Sequence, residues 1–300
     1  MSEPSPSLGA VYDRGYRPYE GARGGREAAT YALFKASIRR ALGIRRSWRQ
    51  KIAPFVLLGI VTIPAIVNVG VGYVTRNEQF DRVEIITYRE YVGVSAALLL
   101  FVALVAPDVL CPDRRQHVLP LMFARPMTGV DYVVAKVGAI FAILFAFSFL
   151  PQVVLFVGNM LVSDSALDYV RDHLDVLWQV PLAAAVLAFF YAVIGLAVAS
   201  LTDRRIVAGA AIIGLFLVTS ITAGVLVGDD FGLNNGSAAA LINVLALPLY
   251  LRDVIFLGHN DPASDLAGVS YGGWLALAEY VVVVLVAAAV LLRRYRWVER

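Results

Sequence analysis

The sequence predicts an all-α polytopic membrane protein with six transmembrane helices, an amphipathic helix before the first and a short outer helix before the last. Three observations predict this class. Of the 300 residues, 59% are hydrophobic and 16% are charged, whereas roughly 45–50% of the residues of a soluble domain are apolar. Six apolar runs have the length of about 20 helical residues that crosses a bilayer. Lys and Arg are concentrated on one side of these runs, as in cytoplasmic loops.

The first two segments precede the apolar runs. Residues 1–25 are rich in Ser, Pro, Gly, Tyr and Arg without helical periodicity, which predicts a disordered cytoplasmic tail. Residues 26–52 are typical of an amphipathic helix on an anionic membrane surface. Its apolar positions recur at helical spacing: Tyr31, Phe34, Ile38 and Leu42. Its basic positions either fix the orientation of the chain or dock a soluble partner, and they include Lys35, Arg39, Arg40, Arg45 and Arg46.

Residues 53–300 form the predicted transmembrane domain. Its six runs are approximately Ala53–Thr75, Tyr91–Leu110, Val133–Asn159, Val176–Leu201, Ile206–Val227 and Gly273–Leu292. A further apolar run, Ala238–Leu257, contains Pro248, and counting it as a span would move the last basic cluster outside. We therefore predict a short helix Ala238–Leu251 in or on the outer leaflet, within an extracellular cap over residues 228–272.

The positions of Lys and Arg predict the orientation of the chain. One side of the runs collects the amphipathic helix with Arg114, Arg115, Arg125, Arg204, Arg205, Arg293, Arg294 and Arg296. The other side has Arg76, Arg82, Arg89, Arg171 and Arg252. The positive-inside rule then predicts both termini in the cytoplasm, and we expect a multi-pass protein of the plasma membrane.

The segment of residues 107–132, between the second and third runs, has a basic centre. Pro107 and Pro112 are expected to end the second run, because proline lacks the N–H that continues a helix. Asp113 and Gln116 have the spacing of a capping box, in which side chains satisfy the free N–H groups at a helix start. The sequence thus predicts a new helix beginning at Asp113.

This predicted helix is short and lies at the membrane interface. Pro120 limits it to about two turns, and Arg125 followed by proline ends it. Its apolar positions share one face: Val118, Leu121 and Met122. Arg114 and Arg115 are then free to reach lipid phosphates or a protein partner.

Several chemical functions are excluded or disfavoured by the sequence. It has no G-x-x-x-x-G-K-[ST] motif, so an ATP-driven cycle would need an ATPase on another polypeptide. It has no H-E-x-x-H motif, and Cys111 is the one cysteine, which excludes a thiolate cluster for a metal. A net charge of +3 without long basic tracts argues against nucleic acid as a partner.

Acidic residues give two further candidates. Four aspartates would lie along one face if Ser163–Asp175 is helical, where they either bind a divalent cation or, as we favour, form a solvated face. They are Asp164, Asp168, Asp172 and Asp175. Glu279 lies about six residues, or roughly 9 Å, inside the outer end of the last run. It should face the bundle, a subunit interface or a wet cavity, for function or for packing alone.

Other polar residues within the runs could line the same interior as Glu279. They are Asn68, Gln152, Gln179, Thr219, Ser220 and Thr222. Polar side chains also join helices in membranes without touching a substrate. A carrier or an enzyme embedded in the membrane, with Glu279 as its buried ionisable group, is therefore one functional hypothesis.

A resemblance to a known family suggests another. The chain has a basic amphipathic helix, six spans, Asp113-Arg114-Arg115 after the second span, and Arg125-Pro126 and Tyr132-x-x-x-Lys136 before the third. With the short outer helix, this arrangement resembles the ABC-2 type permeases over nearly all of the chain beyond residue 25. Many members have Gly-Lys where this chain has Ala135-Lys136.

The resemblance implies the membrane subunit of an ATP-driven exporter, without catalytic residues or a cofactor of its own. Such subunits pair as homodimers or heterodimers, and each docks to a cytosolic ATPase that binds ATP and Mg. It implies that residues 26–52 form the connecting helix and that the coupling segment includes Asp113, Arg114, Arg115, Gln116 and Arg125. Two copies would enclose a path between their first, second and fifth spans, for which our candidates are Glu279, Asn68, Thr219 and Thr222.

Overall fold

The computed structural model describes residues 24–44, 48–75, 86–92, 95–123, 126–227, 238–259, 261–262, 264–266, 269 and 271–298. The predicted N-terminal tail lies almost entirely outside these ranges. Within them, the regular structure is helical, with no strand. The α-helices are α1 Arg26–Ala41, α2 Trp48–Thr75, α3 Tyr88–Tyr91, α4 Ser95–Arg115, α5 Leu119–Phe123, α6 Gly129–Val162, α7 Ala166–Asp172, α8 Leu174–Ala199, α9 Arg205–Val227, α10 Leu247–Leu257 and α11 Gly272–Val298. A 3₁₀ helix covers Ala238–Ile242.

Six helical segments in the described part of the chain are long and apolar enough to cross a membrane. They are Pro54–Thr75, Tyr88–Arg115, Gly129–Val162, Leu174–Ala199, Arg205–Val227 and Gly272–Arg296. The prediction of an all-α, multi-pass membrane protein with six transmembrane helices is confirmed. The second span ends later than expected, because α4 continues through Pro107 and Pro112 to Arg115.

Helix α8 lies at the centre of the bundle. It packs against α4, α6, α9, α10 and α11, and its side chains are buried along most of its length. The first span, in α2, packs on α6 and α4, whereas α9 packs on α4 and α8. Helices α2, α9 and α11 leave most of their apolar surface exposed. Among the described spans, those in α4, α6 and α8 are more deeply buried than those in α2, α9 and α11.

The predicted single amphipathic helix over residues 26–52 is wrong. Helix α1 ends at Ala41, and Gly43 adopts a positive φ of 66°. The N–H of Gly43 donates to Arg40 O and the N–H of Ile44 donates to Arg39 O, which is the Schellman pattern that ends helices at glycine. The chain starts again as α2 at Trp48, so α1 is a separate helix docked on α6 and α4.

The outer connections also differ from the expected helices. The aspartate stripe is split, because α7 ends at Asp172 and α8 begins after His173, so its carboxylates do not share one helix face; all four aspartates are exposed. The predicted helix Ala238–Leu251 is a 3₁₀ helix followed by α10, which packs on α8 and α11. Pro248 lies in the first turn of α10, where its missing N–H removes no helical hydrogen bond.

A close helix contact gives a test of the packing. Pro107 has no N–H for the carbonyl of Ala103, and α9 approaches that carbonyl at Gly209, where an added Cβ would lie 2.9 Å from the oxygen. We expect Gly209→Ala to lower the free energy of unfolding by about 1–3 kcal/mol, because the backbone cannot yield as a side chain does. The measurement is denaturant unfolding in micelles.

Gly214 on the same helix is the matched control. An added Cβ there meets nothing within 4 Å. We expect Gly214→Ala to be neutral or to stabilise the protein by roughly 0.5–1 kcal/mol, since alanine is the better helix former. Equal effects of the two substitutions would contradict the close packing of α9 on α4.

Candidate functional site

The most unusual site is a group of charged side chains buried where α1, α4 and α6 meet. Asp113, in the last turn of α4, has a side chain only 1% exposed. Its Oδ2 lies 2.6 Å from Lys136 Nζ and accepts a hydrogen bond of 2.9 Å from the Tyr132 hydroxyl. Its Oδ1 pairs with the guanidinium of Arg40. We call Arg40, Asp113, Tyr132 and Lys136 the Asp113 cluster, and its end of the bundle the α1 end.

The helices position these groups by their periodicity. Tyr132 and Lys136 are four residues apart in the first two turns of α6, so they share the face that meets α4. Lys136 Nζ also donates to Val109 O at 3.0 Å and lies 5.2 Å from the centre of the Tyr132 ring, a cation–π distance. The ammonium group is thus surrounded by an anion, a backbone acceptor and an aromatic face.

The charged side chains of the Asp113 cluster are buried to different extents. Lys136 and Asp113 are almost fully buried, whereas the side chain of Arg40 is 23% exposed. A buried charge is tolerated when it is paired and its hydrogen bonds are satisfied. Two cations share one carboxylate, so the excess positive charge rests on Arg40, which reaches solvent. Asp113 joins α4 to both α1 and α6.

Further ion pairs surround the cluster at the α1 end. Arg26 donates to both carboxylate oxygens of Asp131, at 2.7 and 2.9 Å, and ties the start of α1 to the start of α6. Arg205 on α9 lies 2.8 Å from Asp108 on α4. Helix α1 is therefore held to the spans near both of its ends, by Arg26 and by Arg40.

Arg114 has a structural partner as well. Its guanidinium donates to the carbonyl of Ser200 and lies 2.9 Å from an Asp203 oxygen, in the connection between α8 and α9. By contrast, Arg115 and Gln116 are exposed, and neither side chain makes a hydrogen bond or ion pair with any described residue. Of the sequence-predicted coupling residues, these two project outward, while Arg125 lies outside the described residues.

The predicted capping box of Asp113 and Gln116 is wrong. Asp113 belongs to the last turn of α4, not to the start of a new helix, because α4 accommodates both of its prolines. The chain then turns at His117, whose φ is 52°, and α5 is a helix of five residues. The burial of Asp113 also prevents it from touching a partner directly; whether it serves coupling stays a prediction.

The basic positions of the amphipathic segment divide into two sets. Lys35 and Arg39 are exposed on α1, as expected for a membrane surface or a docking face. Arg40 turns into the bundle and pairs with Asp113. Arg45 and Arg46 lie outside the described residues.

The candidate path residues are not brought together within one chain. Asn68 is buried on α2, while Glu279 is half-buried on α11 and its carboxyl group makes no hydrogen bond or ion pair with a described residue. Thr219 and Thr222 donate to carbonyls of their own helix α9, at 3.0 Å and 2.7 Å. These three helices pack on the central spans rather than on one another. The path therefore stays a prediction that needs a second subunit.

Lys136 and Tyr132 are partners of Asp113 that were not predicted from the sequence. A signal was present: Asp113 ends one span, Lys136 lies near the start of the next, and the two carry opposite charges. Consecutive spans run antiparallel, so a short connection returns the second residue to the level of the first. Opposite charges at such positions indicate an ion pair.

Comparison of the chain with models of known protein families and with curated proteins gave no match. The resemblance to the ABC-2 type permeases therefore rests on the residues and the segment order given above. The geometry itself provides a set of ionic links that joins a surface helix to the ends of the second and third spans.

Proposed function

We propose that this chain is the membrane permease subunit of an ATP-driven ABC transporter, an exporter that pairs as a dimer and works with a separate cytosolic ATPase. The observation that carries the proposal is the attachment of α1 to α4 and α6 through Arg26 and Arg40. A movement of α1 is transmitted to α4 and α6, because the ion pairs of Arg26 and Arg40 would break if α1 moved along these helices. The sequence has no G-x-x-x-x-G-K-[ST] motif, so we propose that a partner ATPase supplies the force that moves α1.

The α1 end offers exposed groups for such a partner. Lys35 and Arg39 project from α1, and Arg115 and Gln116 project from the end of α4. In this proposal the α1 end and both termini are cytoplasmic, in the plasma membrane, as the positive-inside rule predicts. ATP and Mg belong to the ATPase, and this chain binds no cofactor and no nucleic acid.

The peripheral spans support a second subunit. In this proposal the path for a solute does not run through the centre of this chain, because α8 fills the centre and packs on α4, α6, α9, α10 and α11. The exposed faces of α2 and α9 are available to lipid or to another copy. Two copies that meet on these faces would enclose a path between them.

Reconstitution tests the proposed function. The chain is co-expressed with a soluble ABC ATPase from the same organism and purified into nanodiscs. We expect a complex of equal numbers of the two chains, with an ATP hydrolysis rate several-fold above that of the ATPase alone. The proposal fails if the two chains do not associate, or if the purified chain alone moves a solute at full rate on an ion gradient.

Glu279 favours a second candidate, an ion-coupled carrier. Its carboxyl group lies within the last span and has no partner among the described residues of its own chain. If it meets the path or the second subunit, Glu279→Gln should change turnover by about tenfold, the effect of losing a charge-assisted hydrogen bond. The measurement is turnover of the reconstituted protein, driven by ATP or by a proton gradient.

A bracing role for Glu279 gives the opposite result. In that case Glu279→Gln should be nearly silent, whereas Glu279→Leu should lower the temperature of thermal unfolding. Unchanged turnover in Glu279→Leu removes this residue from the functional set and with it the carrier hypothesis.

A further inference from the structure

An apolar groove lies beside α1, between α1, α2, α4 and α6. Its volume is about 270 Å³, which is that of about nine water molecules at roughly 30 Å³ each. On α6 it extends from Ala142 to Leu150, a distance of roughly 12 Å along the helix axis. All of its lining residues are apolar. The groove is therefore large enough for part of one acyl chain.

The groove has a buried floor and an open side. Phe101 and Phe147 stack in the floor with their ring centres 4.2 Å apart, and they are only 2% and 3% exposed. Phe55 on α2 and Leu150 on α6 also line the groove, but they are 55% and 49% exposed. Both belong to membrane-spanning segments. The open side therefore faces the hydrocarbon region of the bilayer, which lipid reaches and a soluble protein does not.

Helix α1 closes one end of the groove. An added Cβ at Gly138, one turn before Ala142 on α6, would lie 3.5 Å from the Phe34 ring, so α1 and α6 are in contact there. Ile38 and Leu42, further along α1, line the groove itself. A lipid in the groove would therefore have its headgroup beside α1 and the end of its acyl chain further into the bilayer.

Two cations of α1 share a helix face with the residues that line the groove. Lys35, Ile38, Arg39 and Leu42 have the spacing i, i+3, i+4, i+7, which places them along one stripe of the helix. Lys35 and Arg39 are exposed, and neither side chain makes a hydrogen bond or ion pair with a described residue. Their charges are therefore free to bind an anion at the α1 end of the groove.

This combination of charge and apolar surface is complementary to an anionic phospholipid. We propose that one acyl chain of such a lipid fills the groove and that its phosphate lies between Lys35 Nζ and the guanidinium of Arg39. Long basic side chains at a membrane interface keep their charged ends at the level of the lipid phosphates. The proposal assigns these two cations to the lipid and leaves Arg115 and Gln116 for the ATPase. It does not depend on the proposed transport function.

Photolabelling of the full chain in nanodiscs tests the proposal. Two probes carry a diazirine in the same acyl chain: phosphatidylglycerol, which is anionic, and phosphatidylcholine, which has no net charge. Each is present at a mole fraction low enough for labelling to be proportional to affinity. We expect phosphatidylglycerol to label residues 54–58 and 142–150 about 25-fold more than phosphatidylcholine, because each of the two cations contributes about fivefold.

Substitution of the two cations identifies the binding site. Lys35→Gln with Arg39→Gln should reduce phosphatidylglycerol labelling of these residues to the level of phosphatidylcholine. The matched control is Arg293→Gln with Arg296→Gln, which removes two exposed and unpaired charges from α11, away from the groove. The control should leave labelling unchanged. Both variants replace surface side chains, so both should unfold at the wild-type temperature.

A third variant tests the place of the acyl chain. Ala146 lines the groove, so Ala146→Leu should reduce labelling by both probes; the cation variants decide the test if this protein does not fold. Equal labelling by the two probes, an equal loss in the α11 control, or wild-type labelling of Ala146→Leu overturns the proposal. It also fails if Lys35→Gln with Arg39→Gln keeps its label, whether or not that variant loses the ATPase.

Discussion

Replacing Asp113 with leucine is expected to lower the free energy of unfolding by about 3–5 kcal/mol, the usual cost of breaking a buried ion pair. The reason is that Lys136, nearly fully buried, would lose the carboxylate 2.6 Å from its ammonium group. Arg40 can turn to solvent, but Lys136 cannot. Denaturant unfolding in micelles measures the change.

A double-mutant cycle identifies the cause. Lys136→Met removes the buried ammonium group that Asp113→Leu leaves unpaired. The double variant Asp113→Leu with Lys136→Met should therefore be less destabilised than Asp113→Leu alone. Asp203 is the matched control. It pairs with Arg114 but its side chain is 55% exposed, so Asp203→Leu should cost no more than about 1 kcal/mol. Additive effects in the cycle would show that Asp113 and Lys136 do not interact.

Arg115→Glu is expected to abolish the several-fold stimulation of ATP hydrolysis in the reconstituted complex, so that the rate returns to that of the ATPase alone, while the purified chain unfolds at the wild-type temperature. Arg115 is exposed and makes no ion pair with a described residue, so its charge is free to meet a partner. Reversing one charge at a contact between proteins costs several kcal/mol when like charges face each other. The readouts are ATP hydrolysis and co-purification.

Charge reversal at two other arginines provides the controls for Arg115→Glu. Arg171, 76% exposed in the connection between the third and fourth spans, should tolerate Arg171→Glu without loss of stimulation. Arg114→Glu should lower thermal stability, because Arg114 holds Ser200 and Asp203. If Arg171→Glu has the same effect as Arg115→Glu, or if Arg115→Glu keeps full stimulation, the α1 end is not the docking surface.

The Asp113 cluster also suggests why charges are retained in an apolar bundle. A hydrophobic contact between α1 and α4 tolerates sliding, whereas an ion pair with fixed hydrogen-bond partners holds one position. Buried ion pairs seldom add net stability compared with apolar side chains, but they can specify a unique arrangement. We expect the Asp113 cluster to set the position of α1 against α4 and α6. A fixed position is required if a movement of α1 is to be transmitted to these spans.

The six spans were predictable because their cause is local. A run of about 20 apolar residues must be helical in a bilayer, where each backbone group needs a partner within the segment. The same reasoning failed at finer detail. Gly43 signalled the end of α1, but the basic residues on both sides favoured one continuous helix. Pro107 and Pro112 predicted the end of α4, yet each removes a single helical hydrogen bond, which packing outweighs.

The sequence by itself determined the number of spans, their order and the side that carries the arginines, since length, hydropathy and charge are properties of each segment alone. Only the tertiary structure decided that Asp113 is buried between Lys136 and Arg40, because an ion pair depends on which helices meet. It alone also showed an apolar cavity between α3, α6 and α8. A cavity is the space that packing leaves unfilled, and no single helix contains that information.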